Sequence, residues 1–261
     1  MQSLDIPCLL LAGGMGTRLA EETTLKPKPM VEIGERPILW HIMKNLSVWG
    51  VREYVIALGY KGDEVKRFFL DYQRSLGSVS IDFSTGDVVS RDKGLETWLL
   101  HLVETGLTTQ TGGRIKRAAP WIGGRTFLAT YGDGLANVDL AKLIAFHRGH
   151  GKLATVTAVR PPARFGGLEF VGDRVAQFLE KPQTGEGWIN GGYFVLEPGV
   201  IDFISDDNSV WEREPLEAIA AAGELMAFRH EGFFQPMDTI RDRKLLQDLW
   251  ASEKAPWMNW I

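Results

Sequence analysis

Thiol chemistry is almost absent from this sequence, which holds one cysteine, Cys8, in 261 residues. A single thiol excludes an intrachain disulfide and a thiolate metal cluster. Its place in the apolar run from Ile6 to Leu11 predicts a buried, inert side chain. Long hydrophobic runs are missing as well. The N-terminal run is far too short to span a bilayer and carries Asp5 where a leader would be basic, so the expectation is no membrane anchor, no signal peptide and a cytoplasmic protein. Neither sign of charge is in excess: 29 basic against 33 acidic side chains leave a formal charge of -4. That balance gives no footprint for nucleic acid, and it implies that any bound phosphate is met by a few local groups. Repeats and low-complexity tracts are lacking. Of the five histidines only His147 and His150 lie three apart on an expected helix, with no third ligand, so they read as structural.

What is present is an alternation of strand-like apolar runs with segments of helical period, the pattern of an α/β fold with a Rossmann-like, mixed but mostly parallel central sheet flanked by helices. Ile6 to Leu11, Tyr54 to Leu58, Thr126 to Tyr131, Leu153 to Val159, Val175 to Leu179 and Gly192 to Leu196 read as strands. Val79, Ile81 and Phe83 alternate with polar residues as in a half-buried strand. Helices are expected after Pro37, through Val65 to Tyr72, over Leu140 to His147, over Pro215 to Ala222 and over Thr239 to Trp250. The stretches from Thr105 to Gly113 and from Pro182 to Gly187 read as surface connections. The apolar end, Ala255 to Ile261, is expected to dock on its own domain, with a neighbouring subunit as the alternative.

The chemistry begins at Leu11-Ala12-Gly13-Gly14-Met15-Gly16-Thr17-Arg18-Leu19, a glycine-rich turn after the first strand. Glycines admit close backbone approach, unpaired amides in such a turn cradle phosphate, and Arg18 adds a planar cationic fork. The turn lacks the Gly-Lys-Ser/Thr of a P-loop, and Leu19 stands where a dinucleotide fingerprint needs its last glycine, which disfavours a nicotinamide dehydrogenase. In Lys26-Pro27-Lys28-Pro29 the prolines hold two lysines extended, an arrangement suited to a triphosphate, although a solvated basic turn reads the same way. Asp133, between Gly132 and Gly134, lies at the carboxyl end of a strand, the edge where open α/β sheets bind ligands. Taken alone it is equally a turn residue, Asp238 equally the N-cap of the helix near Thr239, and Lys181 equally a solvated strand end.

Joined in this order, the glycine turn and Lys26-Pro27-Lys28-Pro29-Met30 resemble the signature of the sugar-phosphate nucleotidyltransferases. The resemblance continues through Tyr131-Gly132-Asp133-Gly134, Glu180-Lys181-Pro182, Ile189-Asn190-Gly191-Gly192 and Gln235-Pro236-Met237-Asp238-Thr239, nearly the whole chain. Thr111-Gly112-Gly113-Arg114 and Lys254-Ala255-Pro256-Trp257 look most like the cytidylyltransferase branch of that family.

The resemblance implies the nucleotide-diphospho-sugar transferase fold in one main domain, residues 1–261, with a nucleotide part of about 1–135 and a sugar-binding, metal-completing part of about 136–261. It implies CTP and glucose 1-phosphate as substrates, Mg2+ as cofactor and a homo-oligomer. By position, Leu11, Ala12, Gly13 and Gly14 would hold base and ribose, and Gly16, Thr17 and Arg18 the triphosphate. Lys28 would meet the phosphate under attack, and Thr109, Arg114 and Gly132 would complete the nucleotide pocket. Asp133 and Asp238 would hold the magnesium ion, and Glu180, Lys181 and Asn190 the sugar phosphate. Arg18, Lys28 and Asp133 would carry the catalysis. Such a reaction needs charge neutralisation and in-line positioning, and no general base, because the attacking phosphate oxygen is already ionised. Two readings stay open beside it: the same chemistry with dTTP or UTP, and a sugar-nucleotide-binding regulator without turnover.

Overall fold

The computed structural model describes residues 5–14, 16, 26–75, 77–90, 96–160, 167–171, 174–179 and 187–260. Seven strands form the central sheet: β1 (Cys8–Leu11), β2 (Glu53–Leu58), β3 (Leu99–Glu104), β4 (Phe127–Tyr131), β5 (Ala154–Val159), β6 (Ile189–Leu196) and β7 (Leu225–His230). Their order is β7-β5-β6-β4-β1-β2-β3. Strands β3, β2, β1 and β4 run parallel, β6 is antiparallel to both its neighbours, and β7 is parallel to β5. This is the mixed, mostly parallel sheet expected.

The sheet is covered on both faces, so its inner strands are apolar throughout and the period of two only decides which layer each residue enters. On β1, Cys8 and Leu10 join one core and Leu9 the other; on β2, Tyr54, Ile56 and Leu58 oppose Val55 and Ala57. The first core is roofed by α1 (Ile38–Val48), α2 (Gly62–Ser75), α4 (Leu140–His150) and α6 (Ile240–Ala251), the second by α3 (Thr111–Ile122) and α5 (Glu214–Ala221). Burial pushes the Cys8 thiol pKa up, which keeps it inert as expected. The C-terminal tail docks on its own chain. Trp257 is fully buried in the first core and its indole N–H donates to His41 Nδ1 at 3.4 Å.

Two expectations need correction. Val79–Asp82 is a strand, but it pairs only with Asp87–Ser90 in a separate hairpin and is exposed along its length, with Phe83 at the tip 93% exposed. The stretch from Thr105 to Gly113 is a surface connection only as far as Gln110, with Leu107, Thr108 and Gln110 exposed but Thr105 and Thr109 buried, and α3 starts at Thr111. The glycines that suggested a loop are there for contact. A Cβ on Gly112 would lie 2.7 Å from Ser209 O, and one on Gly113 would lie 2.6 Å from Asp207 Cα. Strands β3 and β7 went unread because both are sheet edges, where Leu99 and Met226 are left exposed. Among the described residues no helix is long and apolar enough to cross a membrane.

Candidate active site

The carboxyl ends of β1 and β4 lie side by side, and the chain leaves both over the same cavity of about 330 Å3. Its floor is Leu11, Ala12, Gly13, Gly14 and Gly16 from the first turn, with Tyr131, Gly132 and Asp133 from the second. The turn is tied to the sheet by the Ala12 amide donating to Ala57 O at 3.1 Å and the Gly132 amide to Leu11 O at 3.0 Å. Lys28 and Pro29 form one wall, and Thr109, Gln110, Thr111 and Arg114 the other. Thr17 and Arg18 lie outside the described residues, as do Glu180 and Lys181.

Arg114 is buried and meets no carboxylate among the described residues; its guanidinium is held by neutral oxygens. Nη1 donates to Leu58 O at 2.9 Å, Thr105 Oγ1 at 2.7 Å and Gly106 O at 2.8 Å, while Nη2 donates to Gly13 O at 3.1 Å and Leu107 O at 3.4 Å. Burial first, then the nearby Arg117 charge, lowers its pKa. The guanidinium fills the space under the glycine turn: a Cβ on Gly13 would lie 2.3 Å from Nη1, and one on Gly59 would lie 2.4 Å from it. Gly59 was not among the expected site residues, and only this contact reveals its part. Arg114 therefore both lines the cavity and sets the height of the Gly13 peptide. It stands on the first turns of a helix, where a loop was expected.

The acidic pair is built by a small sheet. Gly134–Ala136 pairs antiparallel with Phe234–Pro236, Gly134 opposite Pro236, and the Met237 amide donates to Asp133 O at 2.9 Å. That pairing brings Asp133 and Asp238 together across more than a hundred residues of chain. Asp238 is not the N-cap: Thr239 caps α6, in a capping box with Asp242. Between the two carboxylates sits Lys28, whose Nζ lies 2.6 Å from Asp133 Oδ2 and 2.7 Å from Asp238 Oδ1. Burial acts to lower the Lys28 pKa, but the two carboxylates outweigh it and hold the ammonium above the usual lysine range. All three residues were expected at the site; that they touch one another was not.

On the far side of the cavity Tyr131 donates its hydroxyl to Glu212 Oε1, and Thr111 donates to Glu212 Oε2 at 2.7 Å. The Tyr131 ring packs where a Cβ on Gly192 would stand, 2.7 Å from its Cδ2. Asn190, at the start of β6, is exposed and accepts from the Gly192 amide at 2.8 Å. Burial, then the Glu212 charge, raises the Tyr131 pKa well above the ordinary phenol range. Glu212 had no signal in the sequence, since nothing near it in the chain marks it as the partner of Tyr131 and Thr111.

A glycine turn at the carboxyl ends of two inner strands, a buried cation and two converging carboxylates suit a phosphate-rich ligand. Comparison with known proteins agrees. Residues 8–228 match the Nucleotidyl transferase family. The chain is similar to the glucose-1-phosphate cytidylyltransferase of Salmonella typhi, at 50% identity over 97% of this chain and 98% of that one. It is also similar to the probable glucose-1-phosphate cytidylyltransferase of Bacillus subtilis, at 44% identity over 97% and 99%. Among solved structures, HddC from Yersinia pseudotuberculosis superposes with a TM-score of 0.68 at 24% identity, covering 94% of this chain and 99% of that one, which bears on the fold alone. With the fold, the site and these likenesses in agreement, the chain belongs to the nucleotidyl transferase family.

Proposed function

We propose that the protein is an enzyme that transfers the cytidylyl group of CTP to glucose 1-phosphate, giving CDP-glucose and pyrophosphate. The observation that carries the chemistry is Lys28 set between Asp133 and Asp238 beside the glycine turn. The choice of substrates rests on the half-identical relative from Salmonella typhi, which is matched over almost its full length. A phosphate oxygen of the sugar phosphate attacks the α-phosphorus, a new P–O bond forms, and the bond from that phosphorus to the β-phosphate bridge breaks in line. Both partners are anions, so the protein's task is to hold them together against their repulsion. The glycine turn gives its backbone to the nucleotide, at a height fixed by Arg114. Lys28, with Arg18 and Lys181 from outside the described residues, balances phosphate charge. Asn190 and Tyr131 line the approach of the hexose.

Asp133 and Asp238 are the residues that would hold Mg2+. The donor set fits, because two carboxylate oxygens already converge on one cationic atom, and magnesium prefers oxygen ligands supplemented by phosphates and water. When bound, the ion polarises phosphate oxygens and draws charge from the leaving pyrophosphate. The division into a nucleotide part, about 1–135, and a sugar part, about 136–261, follows the same reading, as does a cytoplasmic location. A homo-oligomer is supported by the Val79–Ser90 hairpin, whose Ile81, Phe83, Val88 and Val89 are apolar and exposed in the single chain.

The test is pyrophosphate release from CTP, dTTP, UTP, ATP and GTP in turn, with glucose 1-phosphate and magnesium. A strong preference for CTP is expected. Preference for another nucleotide would replace the substrate and keep the reaction, and release from none, with any sugar 1-phosphate, would leave a binding protein.

A further inference from the structure

Lys28 has its backbone tied into a turn and its ammonium set between two acids. Its peptide lies in a single tight turn, Lys28–Met30, fixed by Pro27 and Pro29 and by amides of Met30 and Val31 that donate to Pro27 O and Lys28 O at 2.8 and 3.1 Å. The side chain is only 9% exposed and reaches both acidic groups. An ammonium is a point charge with three donors and no acceptor, so Lys28 occupies the place to which a cation held by Asp133 and Asp238 would come. The carboxylate oxygens that face Lys28 cannot serve both at once. A divalent ion brought to the same two oxygens would stand in contact with the ammonium, like charge against like charge in a partly buried site. One ammonium against two carboxylates leaves the trio with a single net negative charge. Adding a divalent ion with Lys28 still nearby would make it net positive, a state that a polyphosphate relieves.

We propose that Lys28 holds the metal seat in the resting protein, and that the divalent cation and the nucleotide enter as a pair, the ammonium crossing from the carboxylates to the phosphate as they do. This rests on the reading of Asp133 and Asp238 as the metal ligands. Lys28 is then more than a phosphate contact. In the resting state it keeps two carboxylates from distant parts of the chain from repelling each other. It also makes metal affinity conditional on nucleotide, a positive coupling that is reciprocal by thermodynamic necessity.

The test uses Mn2+ and the nucleotide-free protein, following free Mn2+ by electron paramagnetic resonance. Lys28→Met should bind Mn2+ at least tenfold more tightly than the parent chain, and its melting temperature, lowered in metal-free buffer, should be restored by Mn2+. Equal or weaker binding by Lys28→Met would overturn the exchange. Adding Asp133→Asn or Asp238→Asn to Lys28→Met should abolish the binding. If it does not, the carboxylate reading itself fails, a result distinct from failure of the exchange. Should Lys28→Met not fold, nitrogen-15 spectra of the parent chain decide. A slowly exchanging lysine ammonium signal, lost in Asp133→Asn, should be present without metal and shift when Mg2+ and CTP are added together. A signal unmoved once they are bound would refute the proposal.

Discussion

Arg114→Met gives the most demanding test of the architecture under the nucleotide. A count of five charge-assisted hydrogen bonds at about 2 kcal/mol each would suggest a loss of roughly 10 kcal/mol. The structure argues for much less. Leu58 O keeps two other donors, the Thr105 amide at 3.1 Å and the Thr105 hydroxyl at 2.6 Å, and Gly13 O keeps the Tyr60 amide at 3.2 Å. Gly106 is only half-buried and Leu107 is exposed, so their carbonyls can turn to water. What is lost outright is the donor to buried Thr105 Oγ1 and the packing of the guanidinium beneath Gly13 and Gly59. The expected destabilisation is therefore about 2–4 kcal/mol, read from urea unfolding. Functionally, the Gly13 peptide loses its Arg114 tether and the support beneath it and keeps only the Tyr60 amide, so KM for the nucleotide should rise by tenfold or more while kcat changes less. Arg114→Lys should recover only a part, because one ammonium cannot reach oxygens arrayed around a planar fork. A variant within about 0.5 kcal/mol of the parent and with unchanged KM would refute this account of the turn.

Two further tests address the start of α3 and the buried His41 of α1. Gly113→Ala places a methyl 2.6 Å from Asp207 Cα, a backbone atom that cannot step aside, so overpacking should cost about 1–3 kcal/mol, whereas Gly14→Ala, with nothing within 4 Å, should leave thermal stability unchanged. Equal melting temperatures for the two variants would refute the contact argument. Burial holds the His41 pKa down to about 4, against an ordinary value of 6.5. As pH falls the unfolded chain takes up this proton first, so the stability contribution is full above about pH 6.5 and is lost between there and about pH 4, on the order of 3 kcal/mol. In His41→Gln the slope of unfolding free energy between those pH values should flatten, and an unchanged slope would assign the acid sensitivity elsewhere.

The parts of this molecule that were legible in the sequence share a physical property: their signal is local. Cys8–Leu11 and Glu53–Leu58 announce buried parallel strands because every residue of an inner strand faces a covered layer. The glycine turn and the proline-spaced lysines are recognisable because backbone constraint and charge are written in consecutive residues. What was not legible is set by neighbours far away in the chain. Gly112 and Gly113 look like a loop until Ser209 and Asp207 are seen against them, and Glu212 looks like any surface acid until Tyr131 and Thr111 are found on its two oxygens. Lys28 makes the point most sharply. Read from the sequence, it was assigned to phosphate, and the two aspartates to metal, as separate tasks for separate residues. The pairing of Gly134–Ala136 with Phe234–Pro236 brings all three into one contact, so among the described residues one buried cation bridges both acids before any ligand arrives. Residue types alone can therefore name the participants in the reaction, but the order in which charge is exchanged among them is a property of the fold.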